Sequence, residues 1–143
     1  MKIKRNLIKL FIIFLMLGMI PAFAGTYYDT YGNRMGSFST NGNSTTIYDS
    51  YGNKTGSYKT DSSGVTTEYD RYGNKVGSLK TDGSGVTTKY DKYGNKIGSF
   101  KTDSSGVTTE YDKYGNKVGT RKTDSTGRTT TYDKYGNKTG SYK

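Results

Sequence analysis

The chain has 143 residues, 22 Lys plus Arg against 12 Asp plus Glu, a formal charge of +10, and no His, Cys or Trp. Those zeros exclude Ser-His-Asp and Cys-His nucleophilic machinery, zinc sites of the usual nitrogen-sulfur kind, and any disulfide framework. The length allows one domain.

The first element is a targeting segment, residues 1–24. Met1 to Lys9 carries four positive charges and no acid, Leu10 to Ile20 is an unbroken apolar run of 11, and Pro21 ends it. Ala22-Phe23-Ala24 then supplies an A-x-A cleavage signal. This order of charge, apolar run and small residues predicts a secretory signal peptide cut between Ala24 and Gly25. The run is too short for a membrane span, which needs about 20 residues. The expected location is therefore exported: periplasmic, on the outer cell surface or extracellular, with no membrane span left after cleavage.

Gly25 to Lys143 then holds very little apolar material: five Val, two Ile, two Phe, one Leu and one Met, beside all 15 Tyr. Such a fraction is usual for disordered chains. If the segment folds, Tyr rings and backbone pairing must hold it together.

Residues 25–143 are one unit written six times, roughly YDxYGNKxGSxKTDSSGVTTx. Tyr-Asp recurs at Tyr28, Tyr48, Tyr69, Tyr90, Tyr111 and Tyr132, with spacings of 20, 21, 21, 21 and 21. A fixed period in this range marks a repeat architecture. A full unit carries the turn signal Asp-x-x-Gly twice, as in Asp70-Arg71-Tyr72-Gly73 and Asp82-Gly83-Ser84-Gly85. The Asp side chain can bind the backbone two residues on, and the Gly accepts positive φ. The first unit uses Asn41-Gly42 instead, the sequence of a two-residue type I′ turn. Between turns lie Thr-, Tyr- and Val-rich stretches that favour strands. Each unit is thus expected to give two strands, about Val65 to Tyr69 and Lys75 to Thr81. The fold class is all-β: a hairpin array of about twelve short strands, as a β-meander or a β-solenoid.

Strand parity places Val65, Thr67 and Tyr69 on one face. Val76 and Leu79 are three apart, so a β-bulge at Gly77-Ser78 is expected to bring both to one side and to repair the odd period. Equivalent residues should then stand in rows: Tyr69, Tyr90, Tyr111 and Tyr132 in one, and Tyr72, Tyr93 and Tyr114 in another. Lys75, Lys96, Lys117 and Lys138 form a basic row beside them.

Thr123 to Gly140, TDSTGRTTTYDKYGNKTG, resembles the bacterial YD repeat of Rhs-type proteins. Asp124, Gly127, Arg128, Thr129, Thr130, Tyr132, Asp133, Gly136 and Asn137 occupy the matching places, and Tyr-Asp-x-x-Gly-Asn runs through all six units. The resemblance implies strand pairs that coil into a shell in secreted or surface proteins. Six units are too few for the family's large shell, the second tyrosine of its Tyr-x-Tyr-Asp is missing, and no toxin-like domain follows. The resemblance thus supports strand pairs and export, but not encapsulation.

Chemistry is sparse. The acids are mostly turn Asp in nearly equal environments, whereas acid-base catalysis needs carboxylates whose environments differ. No enzyme activity, no cofactor and no metal site is expected; the Asp-rich turns lack the ligand spacing of calcium loops. Two roles remain. One is a binding or adhesion module that offers Tyr and Lys rows to an anionic or carbohydrate polymer of the cell surface. The other is a fibre-forming subunit that self-associates through sheet edges, as curli-like repeats do. A largely disordered exported chain stands as the alternative to both. Export makes nucleic acid an unexpected partner.

Overall fold

The computed structural model describes residues 23–143. Most of the expected signal peptide lies outside the described residues. Its cleavage point between Ala24 and Gly25 falls within the first strand.

Twelve strands follow in order: β1 (Phe23–Tyr28), β2 (Arg34–Asn41), β3 (Ser44–Asp49), β4 (Lys54–Thr60), β5 (Thr66–Asp70) and β6 (Lys75–Thr81), then β7 (Val86–Asp91), β8 (Lys96–Thr102), β9 (Val107–Asp112), β10 (Lys117–Thr123), β11 (Thr129–Asp133) and β12 (Lys138–Tyr142). Each pairs antiparallel with its sequence neighbours, and β1 pairs with β12, so the meander closes into a barrel. The units are too few for a large shell, yet they suffice to close a ring. The seam is short: Tyr27 opposes Tyr142, Tyr28 opposes Ser141, and Thr26 and Lys143 exchange backbone hydrogen bonds of 3.1 and 3.3 Å.

The turns form for the reasons the sequence offers. In the turn after β5, Asp70 Oδ1 accepts the Tyr72 and Asn74 amides, both at 2.9 Å, and Gly73 takes φ +89°. At the opposite rim Asp82 accepts Ser84 N, Ser84 Oγ and Val86 N. The shortened first unit differs from expectation. Asn41 is still in β2, paired with Ser44, and the two-residue loop is Gly42-Asn43 with positive φ only at Gly42. That is the pattern of a type II′ turn, which demands glycine only at its first central position.

The bulge is also displaced by one residue. Glu68 opposes Gly77 and Tyr69 opposes Lys75, so the unpaired residue is Val76. Met35, Thr55, Ile97, Val118 and Thr139 are skipped likewise in the equivalent hairpins. One bulge per unit absorbs the odd residue and keeps the faces in phase around the ring. Gly77 is glycine for another reason. A Cβ there would lie 2.7 Å from the Tyr90 carbonyl oxygen of the next strand.

Val65, Thr67 and Tyr69 do share a face, and it is the outer one; Thr66 and Glu68 between them are buried. The interior has three tiers. Nearest the Asp-Ser-Ser-Gly rim, paired threonines bond hydroxyl to hydroxyl, as Thr60 with Thr66 at 2.8 Å and Thr81 with Thr87 at 2.7 Å. In the middle stand Phe38, Tyr58, Leu79, Phe100, Arg121 and Tyr142. Above them sit Ile47, Glu68, Lys89, Glu110 and Thr131, each opposite a strand glycine: Gly56, Gly77, Gly98, Gly119 and Gly140. Of the 15 tyrosines, only Tyr27, Tyr58 and Tyr142 are buried in this core. Tyrosine therefore contributes to the interior without dominating it.

Gly77→Ala is expected to destabilise the barrel by about 1–3 kcal/mol through backbone crowding, whereas Gly83→Ala, which meets nothing within 4 Å, should be near neutral. Urea unfolding of the two variants distinguishes the positions; equal stabilities would contradict the inward placement of Gly77.

Candidate binding surfaces at the tyrosine rim

The turns that follow the odd-numbered strands gather at one rim, each presenting the central Tyr of Tyr-Asp-x-Tyr-Gly-Asn. Tyr31, Tyr51, Tyr72, Tyr93, Tyr114 and Tyr135 are 73–89% exposed. The residue before each of the last four is a cation lying over its ring: Arg71 at 4.6 Å, Lys92 at 4.8 Å, Lys113 at 4.7 Å and Lys134 at 4.9 Å from the centroid. These cations escape a reading of the Lys row alone, although their spacing, one residue before the turn Tyr, is visible in the repeat.

Just below the rim, on the outer wall, the two other expected rows interleave. Tyr69 opposes Lys75, Tyr90 opposes Lys96, Tyr111 opposes Lys117 and Tyr132 opposes Lys138 across their hairpins. The rows are circles. Equivalent tyrosines are two strands apart, about 10 Å, and Ser78 or Ser99 of the intervening strand stands between them. Tyr72, Tyr93 and Tyr114 are likewise separated by one hairpin each. The result is a collar of alternating phenol and ammonium groups. Ala24 and Gly25 lie away from this rim, opposite Ser39 and Phe38 of β2.

Inside the barrel the charges alternate along one side. Lys89 Nζ is 3.4 Å from Glu68, and Arg121 pairs with Glu110 through its guanidinium. Burial raises the Glu110 carboxyl above its ordinary value, although Arg121 opposes that shift. Removing either partner of such a pair leaves a buried charge uncompensated, which costs about 3–5 kcal/mol. Arg121 also lies over Phe100, 5.7 Å from the ring centroid. Burial pushes the Tyr27 phenol up to about 12, and its hydroxyl donates to the Tyr48 carbonyl at 2.6 Å. Burial raises Tyr58 and Tyr142 as well. A cavity of about 600 Å³ opens at the tyrosine rim beside the β1–β12 seam.

The outer wall does not suit lipid. Strands of five to eight residues fall short of the roughly 9–11 of a membrane barrel, and Lys, Ser and Thr stand where an apolar band would be needed. Among the described residues, no group of three or more acids, Cys or His could hold a metal ion. The turn carboxylates instead accept backbone amides. No protein-family model matches the chain, and no curated protein matches it significantly in sequence.

Turn chemistry gives the barrel a signed pH dependence. Nine turn aspartates, at positions 49, 61, 70, 82, 91, 103, 112, 124 and 133, titrate below the ordinary 3.8 in the fold. For eight of them the largest cause is a side-chain hydrogen bond within the turn, such as Asn74 on Asp70 or Ser84 on Asp82. For Asp49 it is the Asn53 backbone amide. Groups lowered on folding stabilise the fold above their unfolded value and lose that contribution as pH falls through the folded one. Glu110, raised by burial, works the other way from these aspartates. The melting temperature should therefore be level through neutrality and fall below pH 3.8. In alkali it should fall again as pH rises from 10 through about 12, where Tyr27 ionises late in the folded state. A melting temperature that holds or rises as pH falls below 3.8 would contradict the turn assignment.

Proposed function

We propose that the chain is a secreted or surface-exposed, non-enzymatic binding module, and that the collar at the tyrosine rim grips an anionic or carbohydrate polymer of the cell surface. The observation that carries this reading is the set of six Tyr side chains left 73–89% exposed at one end of a closed barrel. Burying them against the fold would be favourable, and large exposed aromatic groups concentrated on one surface mark an interaction site. A phenol face packs on a sugar ring, while the neighbouring Lys or Arg attracts sulfate, phosphate or carboxylate. Repetition every 10 Å or so makes the collar multivalent, so that weak single contacts add through effective concentration.

The signal-like segment and the resemblance to YD repeats of Rhs-type proteins support export. Trimming at Gly25 would remove the Phe23 and Ala24 pairs with β2 but leave Tyr27 and Tyr28 in the seam. A fibre-forming role would require β1 and β12 to part, because closure leaves no unpaired edge between them.

Titration of the processed protein with a sulfated glycan, lipopolysaccharide and a cell-wall polymer tests the reading. At least one should bind, more weakly as salt rises. Tyr→Ala at positions 72, 93, 114 and 135 together should weaken that binding by about tenfold or more with circular dichroism unchanged. Binding that ignores both salt and these substitutions, or no binding to any of the three, would overturn the collar as a contact surface.

A further inference from the structure

The barrel is unevenly filled. In the upper interior tier Thr131 is smaller than Ile47, Glu68, Lys89 and Glu110. The bulge residue beside it is also a threonine, Thr139, whose hydroxyl lies 2.9 Å from that of Thr131. These two short side chains, in adjacent strands, line the roughly 600 Å³ cavity beside the β1–β12 seam. That volume is within the range of small-molecule sites, roughly 300–1,000 Å³.

Its walls differ in kind from inside to mouth. Tyr27, Met35 and Val118 line the apolar part, and the Glu110–Arg121 pair lies at the inner end. At the mouth stand Tyr28, Tyr31 and Tyr132 with Asp29 and Asp133. The local charge runs against the chain as a whole. Asp29, Glu110 and Asp133 face Arg121 and Lys138, and Arg121 is engaged by Glu110, whereas the full sequence carries +10. Phenol faces combined with carboxylates at a partly open mouth are the arrangement that attracts a cation without full loss of its hydration.

We propose that this cavity binds a small organic cation with a flat apolar body, an aromatic amine or quaternary ammonium compound, whose body lies among Tyr27, Met35 and Val118 and whose charge stays at the tyrosine-aspartate mouth. The site shares Tyr31, Tyr132 and Lys138 with the collar at its mouth, but its body is the interior space behind them. It takes a small molecule of the opposite sign to the polymer proposed there, and it stands on the cavity alone.

Benzyltrimethylammonium and benzenesulfonate, similar in ring and opposite in charge, are the probes. Titration followed by tyrosine fluorescence and by NMR should show saturable one-to-one binding of the cation, about tenfold tighter than that of the anion. Thr131→Met, which extends a longer side chain into the space, should weaken the binding severalfold while leaving circular dichroism unchanged. Lys138→Gln, an exposed change that keeps the fold independent of that result, should tighten it by removing the one unpaired cation charge at the mouth. Equal affinity for the two probes, no binding up to about 10 mM, unweakened binding in a folded Thr131→Met variant, or weakening by Lys138→Gln would each overturn the proposal.

Discussion

Ring closure is the constraint on which everything else depends. When β12 reaches β1, six copies of each inward position are brought into one lumen, while six copies of each outward position are spread around a wall. Six equal lysines are tolerable outside. Inside they would repel across a medium of low polarity, and six equal large side chains would compete for the same volume. The repeat answers this directly. Outward Tyr69 and Lys75 have near-identical counterparts in other units, whereas two inward tiers vary from unit to unit: Tyr27, Ile47, Glu68, Lys89, Glu110 and Thr131 in one, Phe38, Tyr58, Leu79, Phe100, Arg121 and Tyr142 in another. The alternation of Glu68, Lys89, Glu110 and Arg121 is a charge pattern that only a shared interior requires.

The inward threonines are the informative exception, because they are copied. Thr66, Thr87, Thr108 and Thr129 are all buried, yet each hydroxyl is satisfied by a threonine of its own hairpin: Thr60, Thr81, Thr102 and Thr123. A residue whose polar group is satisfied locally can be repeated without conflict. The strand glycines follow the same logic. Gly77 leaves Glu68 free to reach across to Lys89, and its missing side chain keeps the Tyr90 carbonyl clear. Exchange of two strand edges for a seam explains how so few aliphatic residues hold the barrel. Backbone pairing continues round the whole ring, and one large side chain per hairpin fills the centre.

Much of this is legible in the sequence. The period, the twelve strands and the role of Asp70 and Asp82 in their turns follow from local rules, since a turn aspartate acts within four residues of itself. The shared face of Val65, Thr67 and Tyr69 follows from alternation. Which face is inner does not, because Tyr69 and Thr66 are both plausible strand residues and burial depends on closure. The bulge is misplaced by one residue for a related reason: Gly77 looks like a bulge residue, but the carbonyl that excludes a side chain there comes from the next hairpin. The cations over Tyr72 and Tyr93 are adjacent in sequence and could have been read. The cavity could not, since it exists only where β1 meets β12 across more than a hundred residues.

Closure is tested most directly by proton–proton contacts across the seam in the processed, dilute monomer. The barrel predicts strong backbone cross-peaks between Tyr27 and Tyr142 and between Tyr28 and Ser141 that persist on dilution. If the neighbouring hairpins show their expected contacts while these are missing, or appear only at high concentration, the units form an open array and the account of the interior fails.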